Sequence, residues 1–124
     1  MITKIFNKKT IYFVITAFLA IMVGIVGGVV DIIQTPAVIE ASKALAYPLY
    51  FFTLLGVFKI LGGIALLLPR KFENLRFLAY AGFSFDFIFA SFSHFSVGDG
   101  IVKIVVPLLF LILLAISYNL KNKF

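Results

Sequence analysis

Four long apolar stretches, almost free of charge, constrain the fold of this chain more than any other feature. Twenty-one residues pass without a charge between Lys9 and Asp31, and seventeen between Lys103 and Lys121. Two further stretches each carry one charge near the middle. Every stretch approaches the ~20 residues that a helix needs to cross ~30 Å of hydrocarbon. We therefore predict four transmembrane helices within a single integral membrane domain (residues 1–124), at about residues 11–30, 48–68, 75–95 and 101–118.

The composition excludes a soluble globular enzyme. Hydrophobic residues make up 63% of the chain and charged residues 13%, against about 45–50% and about 25% in ordinary soluble domains. A soluble chain of 124 residues could not bury so many apolar side chains. The absence of cysteine excludes disulfides, thiolate metal sites and thiol redox chemistry by this chain. Because the sequence carries no metal-binding or nucleotide-binding motif, we predict no metal site and no covalently bound cofactor.

The basic residues indicate how the chain lies in the membrane. Of the eleven Lys and Arg residues, Lys43 and Lys103 fall on one side of the predicted spans, and Lys59 lies inside one. The other eight share the opposite side: Lys4, Lys8, Lys9, Arg70, Lys71, Arg76, Lys121 and Lys123. By the positive-inside rule, both termini and the loop between the second and third spans are predicted to be cytoplasmic. The net charge of +6 is then a topology signal that favours contact with the lipid bilayer, and nucleic acid is not an expected partner.

The segment between the first two spans carries the signals of a helix start. Thr35 and Pro36 are typical of the N-cap and the first helical position. Apolar residues such as Val38 and Ala41 would then share one side of the helix. We predict a short helix at residues 36–46 that lies on the outer membrane surface. The predicted fold class is therefore all-α, a four-transmembrane-helix bundle with cytoplasmic termini and one interfacial helix.

Small residues recur at helical spacing in the predicted spans, and such residues let transmembrane helices approach closely. Gly24 and Gly28 lie in the first span, Gly56 and Gly63 in the second, and Gly82 in the third. We predict that these five glycines are helix-packing positions. The spacing of the first two suits either packing inside the bundle or contact between two copies in a homodimer.

Two charged residues fall where charges are costly. Lys59 and Asp86 lie near the middle of the second and third spans, where each alone would cost roughly 2.5–3.5 kcal/mol. Because consecutive spans are antiparallel, we predict that the two side chains contact each other in an intramembrane polar site. Two interpretations remain open. The pair either only fixes the register of two helices, or it provides a proton-accepting carboxylate or a pocket for a polar headgroup.

A second group of polar residues is predicted near the outer surface. His94 is the only histidine and lies eight residues after Asp86 in the third span, about 12 Å along a helix. Ser93, Asp99 and Asp31 fall at similar depth, so these four residues could form a polar entrance from outside. His94 could relay protons near neutral pH, or it could simply be bonded to a neighbouring carboxylate or backbone group.

Residues 47–70 and 78–86 carry a distinctive combination of small and polar residues. The combination continues with Ser93-His94 and Gly98-Asp99, and its members are Gly56, Lys59, Pro69, Tyr80, Gly82, Asp86 and His94. With this spacing, about residues 44–100 resemble the DoxX-like family of small bacterial four-helix membrane proteins. The sequence departs from the family pattern at Phe77-Leu78, where an acidic residue and a tryptophan would be expected.

The resemblance implies a multi-pass protein of the bacterial cytoplasmic (inner) membrane. The wider family is associated with membrane oxidoreductase complexes, including the small subunit of a quinone-reducing thiosulfate enzyme. The leading hypothesis is therefore an accessory subunit of a quinone-linked redox system, with a membrane redox protein as partner. In this hypothesis, Lys59 and Asp86 receive a quinone headgroup or a proton, and His94 relays protons near the outer surface.

Two other functions remain open. Eukaryotic relatives of the family resemble receptor-assembly chaperones, which implies that this chain could be a non-catalytic assembly or scaffold protein. The third hypothesis is a small proton-coupled transporter with Asp86 as the coupling carboxylate. Four helices are few for transport, so this hypothesis requires a dimer.

Overall fold

The computed structural model describes residues 7–121, and this part of the chain folds into helices without a strand. Four helices are long and apolar enough to cross a membrane, which confirms the predicted number. We name them span 1 (Lys8–Ile33), span 2 (Leu49–Leu66), span 3 (Glu73–Ser96) and span 4 (Ile101–Leu120). A connecting helix at Pro36–Leu45 joins spans 1 and 2, and a short 3₁₀ turn at Arg70–Phe72 precedes span 3.

Local signals in the sequence explain where the helices begin and end. The Asn7 side chain accepts a hydrogen bond of 2.8 Å from the Thr10 backbone N–H and so caps span 1. Span 1 ends at Gln34, whose φ of 54° is left-handed, and Pro36 opens the connecting helix. Gly98, with a φ of 78°, makes the turn between spans 3 and 4, a conformation that glycine adopts without strain.

The spans form a bundle in which each one packs against the next along the chain, and span 4 returns to the beginning of span 1. The buried core lies between them and is made of apolar and aromatic side chains. Its members are Leu19, Ala20, Leu66, Ala79, Tyr80, Phe83, Phe87 and Leu114. Most other apolar side chains point outward, as a protein surrounded by lipid requires.

A π-helix interrupts span 1 at Phe18–Val26, between α-helical segments at Lys8–Ala17 and Gly27–Ile33. In a π-helix each N–H bonds to the fifth residue before it, so the residues that follow are rotated about the helix axis. Accordingly, the first segment of span 1 packs on span 4, whereas the π-helix and the last segment pack on span 2. The interruption lets one helix face two neighbours in turn.

Glycine pairs bring spans 1 and 2 into backbone contact. A Cβ atom added at Gly28 would lie 2.5 Å from the Gly56 carbonyl oxygen, and one at Gly24 would lie 2.9 Å from the Cα of Gly63. These four glycines are therefore packing positions inside the bundle, as predicted. Since Gly24 and Gly28 are buried there, their spacing is used within one chain and is not available for a homodimer contact.

The packing prediction for Gly82 is wrong. A Cβ atom at this position would meet nothing within 4 Å, because Gly82 faces an open space between spans 2 and 3. The glycine that packs between these two spans is Gly62, where a Cβ would lie 2.9 Å from the Phe83 ring. A small residue in a transmembrane helix allows close packing, but it equally allows a gap.

Three buried hydroxyl groups tie spans 1, 3 and 4 together. Ser117 of span 4 is fully buried, and its hydroxyl lies 2.6 Å from that of Thr16 and 2.7 Å from that of Tyr80. Hydrogen bonds between transmembrane helices satisfy polar groups that would otherwise be unpaired in hydrocarbon.

Exchange of Ser117 for alanine is expected to lower the free energy of unfolding by about 1 kcal/mol, because Thr16 and Tyr80 would both lose their shared partner. Unfolding by SDS in mixed micelles, followed by circular dichroism, would measure the change. Ser84→Ala is the matched control, since within residues 7–121 the Ser84 hydroxyl donates to the Tyr80 carbonyl of its own helix and to no other helix. An equal loss in both variants would contradict a role for Ser117 in joining the helices.

Candidate functional site

A buried ion pair joins spans 1 and 2, but its acidic partner is not the one predicted. The Lys59 ammonium lies 2.9 Å from the Asp31 carboxylate, and the two side chains are 19% and 9% exposed. The predicted direct contact between Lys59 and Asp86 is therefore wrong: the ion pair of Lys59 is formed with span 1, not with span 3. Asp31, which the sequence predicts in the outer polar entrance, is the acidic partner of Lys59.

The glycine contacts explain this choice of partner. The backbones of spans 1 and 2 touch at Gly28 and Gly56, and Asp31 and Lys59 lie one helical turn to either side of that contact. Gly27 leaves room for the alkyl chain of Lys59, whose Cδ would be 4.0 Å from a Cβ there. The close approach of the two helices thus holds the ammonium against the Asp31 carboxylate.

Asp86 of span 3 is the third charge at this level and has no ion pair or hydrogen bond with any side chain or backbone group of residues 7–121. It is half-buried, and both Lys59 and Asp31 act on it electrostatically. We call Asp31, Lys59 and Asp86 the charge cluster. If all three are ionised, the cluster carries a net charge of −1, which is costly in hydrocarbon. Asp86 therefore requires a proton or a hydrogen-bond donor.

The charge cluster opens into a groove between spans 2 and 3, which we call the span 2–3 groove. The groove encloses about 830 Å³, and Lys59 and Asp86 are the charged residues in its lining. Its walls are otherwise apolar and largely aromatic: Phe51, Leu55, Phe58, Leu61, Ala65, Leu75, Leu78, Ala79, Phe83, Phe85, Ile88, Phe89 and Phe92. Phe85 is 72% exposed and Phe58 61% exposed, so the groove faces the lipid rather than the centre of the bundle.

This arrangement suits a flat or elongated apolar molecule with a polar group at one end. Ligand sites are concave, mostly apolar and equipped with a few polar groups that fix the orientation. Gly82 forms part of the groove, and the absence of a side chain there keeps it open beside Asp86. The charge cluster could donate hydrogen bonds from Lys59 and exchange a proton at Asp86.

The four residues predicted to form an outer polar entrance make three separate contacts. Asp31 belongs to the charge cluster, as described above. Ser93 bonds with the Tyr47 hydroxyl and with the Phe89 carbonyl. The Nδ1 atom of His94 lies 2.6 Å from the Asp99 carboxylate, just beyond the end of span 3. His94 therefore has a local carboxylate partner, and its role as a proton relay stays a prediction.

Asp31 was misplaced because its position in the sequence, two residues before the end of span 1 at Ile33, predicts a residue near the surface. The structure sets it level with Gly56, seven residues inside span 2. One feature of the sequence could have indicated that Asp31 faces span 2. Asp31 follows Gly24 and Gly28 at helical spacing, and a charge in line with packing glycines faces the neighbouring helix.

A second polar cluster lies at the end of the bundle where spans 1 and 3 begin and span 4 ends, which we call the terminal end. The Arg76 guanidinium donates a hydrogen bond of 2.8 Å to the Tyr12 hydroxyl and one of 3.2 Å to the Glu73 carboxylate. Lys121 forms an ion pair with the same carboxylate. Arg76 is only 3% exposed. The sequence places Arg76 only near the loop between the second and third spans, among the basic residues of the predicted cytoplasmic side, and does not indicate this burial.

Within residues 7–121, no three His, Asp or Glu side chains are grouped as metal ligands would be.

Comparison with known proteins assigns the chain to a family. No curated protein and no solved structure matches the chain significantly. A family model does match, over residues 14–117, which include all three members of the charge cluster and most of every span. The chain belongs to the DoxX-like family of multi-pass membrane proteins.

Proposed function

We propose that this DoxX-like protein is an accessory subunit of a quinone-linked membrane redox system, and that the span 2–3 groove holds the quinone. One observation carries the proposal: an acidic side chain without a hydrogen-bond or ion-pair partner in residues 7–121, Asp86, lies in a lipid-facing apolar groove of about 830 Å³. A quinone has the matching chemistry, because its ring and tail are apolar and its carbonyl oxygens accept hydrogen bonds.

The chemistry of the charge cluster fits a headgroup site. Reduction of a quinone to a quinol takes up two electrons and two protons. In this proposal the electrons come from a partner redox subunit, because this chain contains no cysteine that could supply them. The Lys59 ammonium can donate a hydrogen bond to one carbonyl oxygen, and protonated Asp86 can donate to the other and transfer its proton as the oxygen becomes more basic. Asp86 would then take up a second proton from water and supply it in the same way, which completes the two protons of the quinol.

The proposal includes a placement in the membrane. The surplus of basic residues at the terminal end supports a cytoplasmic location for both termini. The connecting helix, Pro36–Leu45, is amphipathic in sequence and would lie on the opposite membrane surface. The family supports a bacterial inner membrane as the site of function.

Filling the groove is expected to weaken quinone binding. Gly82→Leu places a side chain into space that is open beside Asp86, so binding should weaken about tenfold or more, equivalent to ~1.4 kcal/mol. Native mass spectrometry with a short-chain benzoquinone or naphthoquinone would measure the bound fraction. Ala115→Leu adds the same side chain to an exposed face of span 4 and should leave binding unchanged.

Asp86→Asn tests the headgroup contact separately. It should weaken quinone binding but not the binding of an isoprenoid alcohol, which has the tail without the quinone ring. If neither Gly82→Leu nor Asp86→Asn alters quinone retention, the groove is not the quinone site and the proposal fails.

The assembly hypothesis is favoured by the exposed aromatic side chains of span 3, two of which also line the groove. Phe85, Phe92 and Phe95 of span 3 are each at least 66% exposed, and such a surface could receive a helix from another membrane protein. A partner that stays bound to both Gly82→Leu and Asp86→Asn, with no quinone in the complex, would support assembly over the redox function.

A further inference from the structure

A second cavity, of about 300 Å³, lies at the terminal end, and nothing in the proposed redox function uses it. Three cationic residues line it: Arg70, Arg76 and Lys121. They come from the loop after span 2, the first turn of span 3 and the end of span 4. Tyr12 and Thr16 of span 1 add hydroxyl groups to the same wall.

The guanidinium of Arg76 is buried but only partly satisfied. Two of its nitrogens donate to Tyr12 and Glu73, while its Nε atom is buried and has no hydrogen-bond partner in the described part of the chain. Lys121 is 8% exposed and shares the Glu73 carboxylate with Arg76. One carboxylate therefore serves two buried cations.

The sequence gives this end of the bundle no other acidic residue. Within residues 7–121, six of the nine basic residues lie at the terminal end, but of the five acidic residues only Glu73 does. The other four belong to the charge cluster, the connecting helix and the turn after span 3: Asp31, Asp86, Glu40 and Asp99. Buried positive charge without a counter-charge is costly in a medium of low dielectric constant. An anion would remove that cost.

We propose that the cavity at the terminal end is a binding site for a negatively charged phosphate group. Arginine presents planar donors that match phosphate oxygens, and lysine adds a point charge. Basic pockets between transmembrane helices are known to bind anionic lipid headgroups. The apolar side of the cavity, formed by Phe13, Ala17, Leu66, Leu67 and Leu68, suits the glycerol and first acyl carbons of a phospholipid. A phospholipid headgroup and free phosphate share this chemistry.

The experiment compares lipids that differ in net charge. Wild-type protein is purified in mild detergent, mixed with equal amounts of phosphatidylglycerol and phosphatidylcholine, and examined by native mass spectrometry. We expect phosphatidylglycerol to be retained about tenfold over phosphatidylcholine, and Lys121→Gln and Arg70→Gln each to remove most of that preference. Lys121→Arg, which keeps the charge, should retain it. Lys103→Gln is the control, since this lysine lies at the opposite end of the bundle.

A second measurement identifies the source of the phosphate. Thermal unfolding of delipidated wild-type protein is followed with inorganic phosphate or with phosphatidylglycerol added. Stabilisation by inorganic phosphate that is lost in Lys121→Gln assigns the site to free phosphate, and stabilisation by the lipid alone assigns it to a headgroup. The proposal is overturned if neither inorganic phosphate nor phosphatidylglycerol stabilises the protein, or if Lys103→Gln removes the stabilisation as fully as Lys121→Gln. Should Lys121→Gln fail to fold, Arg70→Gln decides between these outcomes.

Discussion

Exchange of Gly28 for leucine is expected to prevent spans 1 and 2 from packing together. A Cβ atom at this position would lie 2.5 Å from the Gly56 carbonyl oxygen and 2.7 Å from a side-chain carbon of Ile60. The first obstacle is backbone, which cannot move aside as a flexible side chain can. The loss should therefore reach or exceed the upper end of the ~1–3 kcal/mol that overpacking usually costs. Fluorescence-detected size exclusion and SDS unfolding would show loss of the folded monomer.

Gly82→Leu is the matched control for this experiment, because it adds the same side chain to another transmembrane glycine. A Cβ at Gly82 meets nothing within 4 Å, so this variant should remain folded with nearly unchanged stability. Comparable unfolding of both variants would mean that leucine disrupts the bundle at any glycine, and the close contact between spans 1 and 2 would lose its support.

Removal of either member of the Asp31–Lys59 ion pair is expected to cost about 3–5 kcal/mol, because the remaining charge is left buried without its partner. The double variant Asp31→Asn/Lys59→Met should recover most of this loss, since it leaves no uncompensated charge in the pair. A double-mutant cycle measured by reversible unfolding in mixed micelles would give the coupling energy.

Asp86→Asn distinguishes this pair from the one predicted from the sequence. Asp86 forms no ion pair within the described residues, so its exchange should change stability far less than Asp31→Asn does. The opposite ranking, with strong coupling between Lys59 and Asp86 and little between Lys59 and Asp31, would show that Lys59 pairs with span 3 and would contradict the structure.

The number and approximate bounds of the spans could be predicted because hydrocarbon thickness fixes helix length. Packing at Gly24, Gly28, Gly56 and Gly63 could also be predicted, since small residues in a transmembrane helix often mark close contacts. Gly82 shows the limit of this argument. Its spacing is like that of the others, but whether a neighbouring helix fills the space depends on the angle between spans 2 and 3.

The ion pair could be predicted in kind but not in partner. The cost of an intramembrane lysine favours pairing with an opposite charge, and both Asp86 and Asp31 were available in neighbouring spans. Span 1 contains a π-helix at Phe18–Val26, which rotates the residues after it and which its apolar sequence does not reveal. The buried position of Arg76 was equally hidden, because it depends on contact with Tyr12, which lies on span 1.

The ion pair between spans 1 and 2 also bears on the order in which the membrane accepts the chain. Lys59 is synthesised 28 residues after Asp31, so the carboxylate has already left the ribosome when the lysine emerges. Span 2 alone would carry an unpaired ammonium into hydrocarbon, at a cost of roughly 2.5–3.5 kcal/mol near the centre. As a helical hairpin, the first two spans cancel each other's charge and their glycines close the gap between them. This hairpin is therefore the smallest unit of the protein suited to partition from the translocon into lipid.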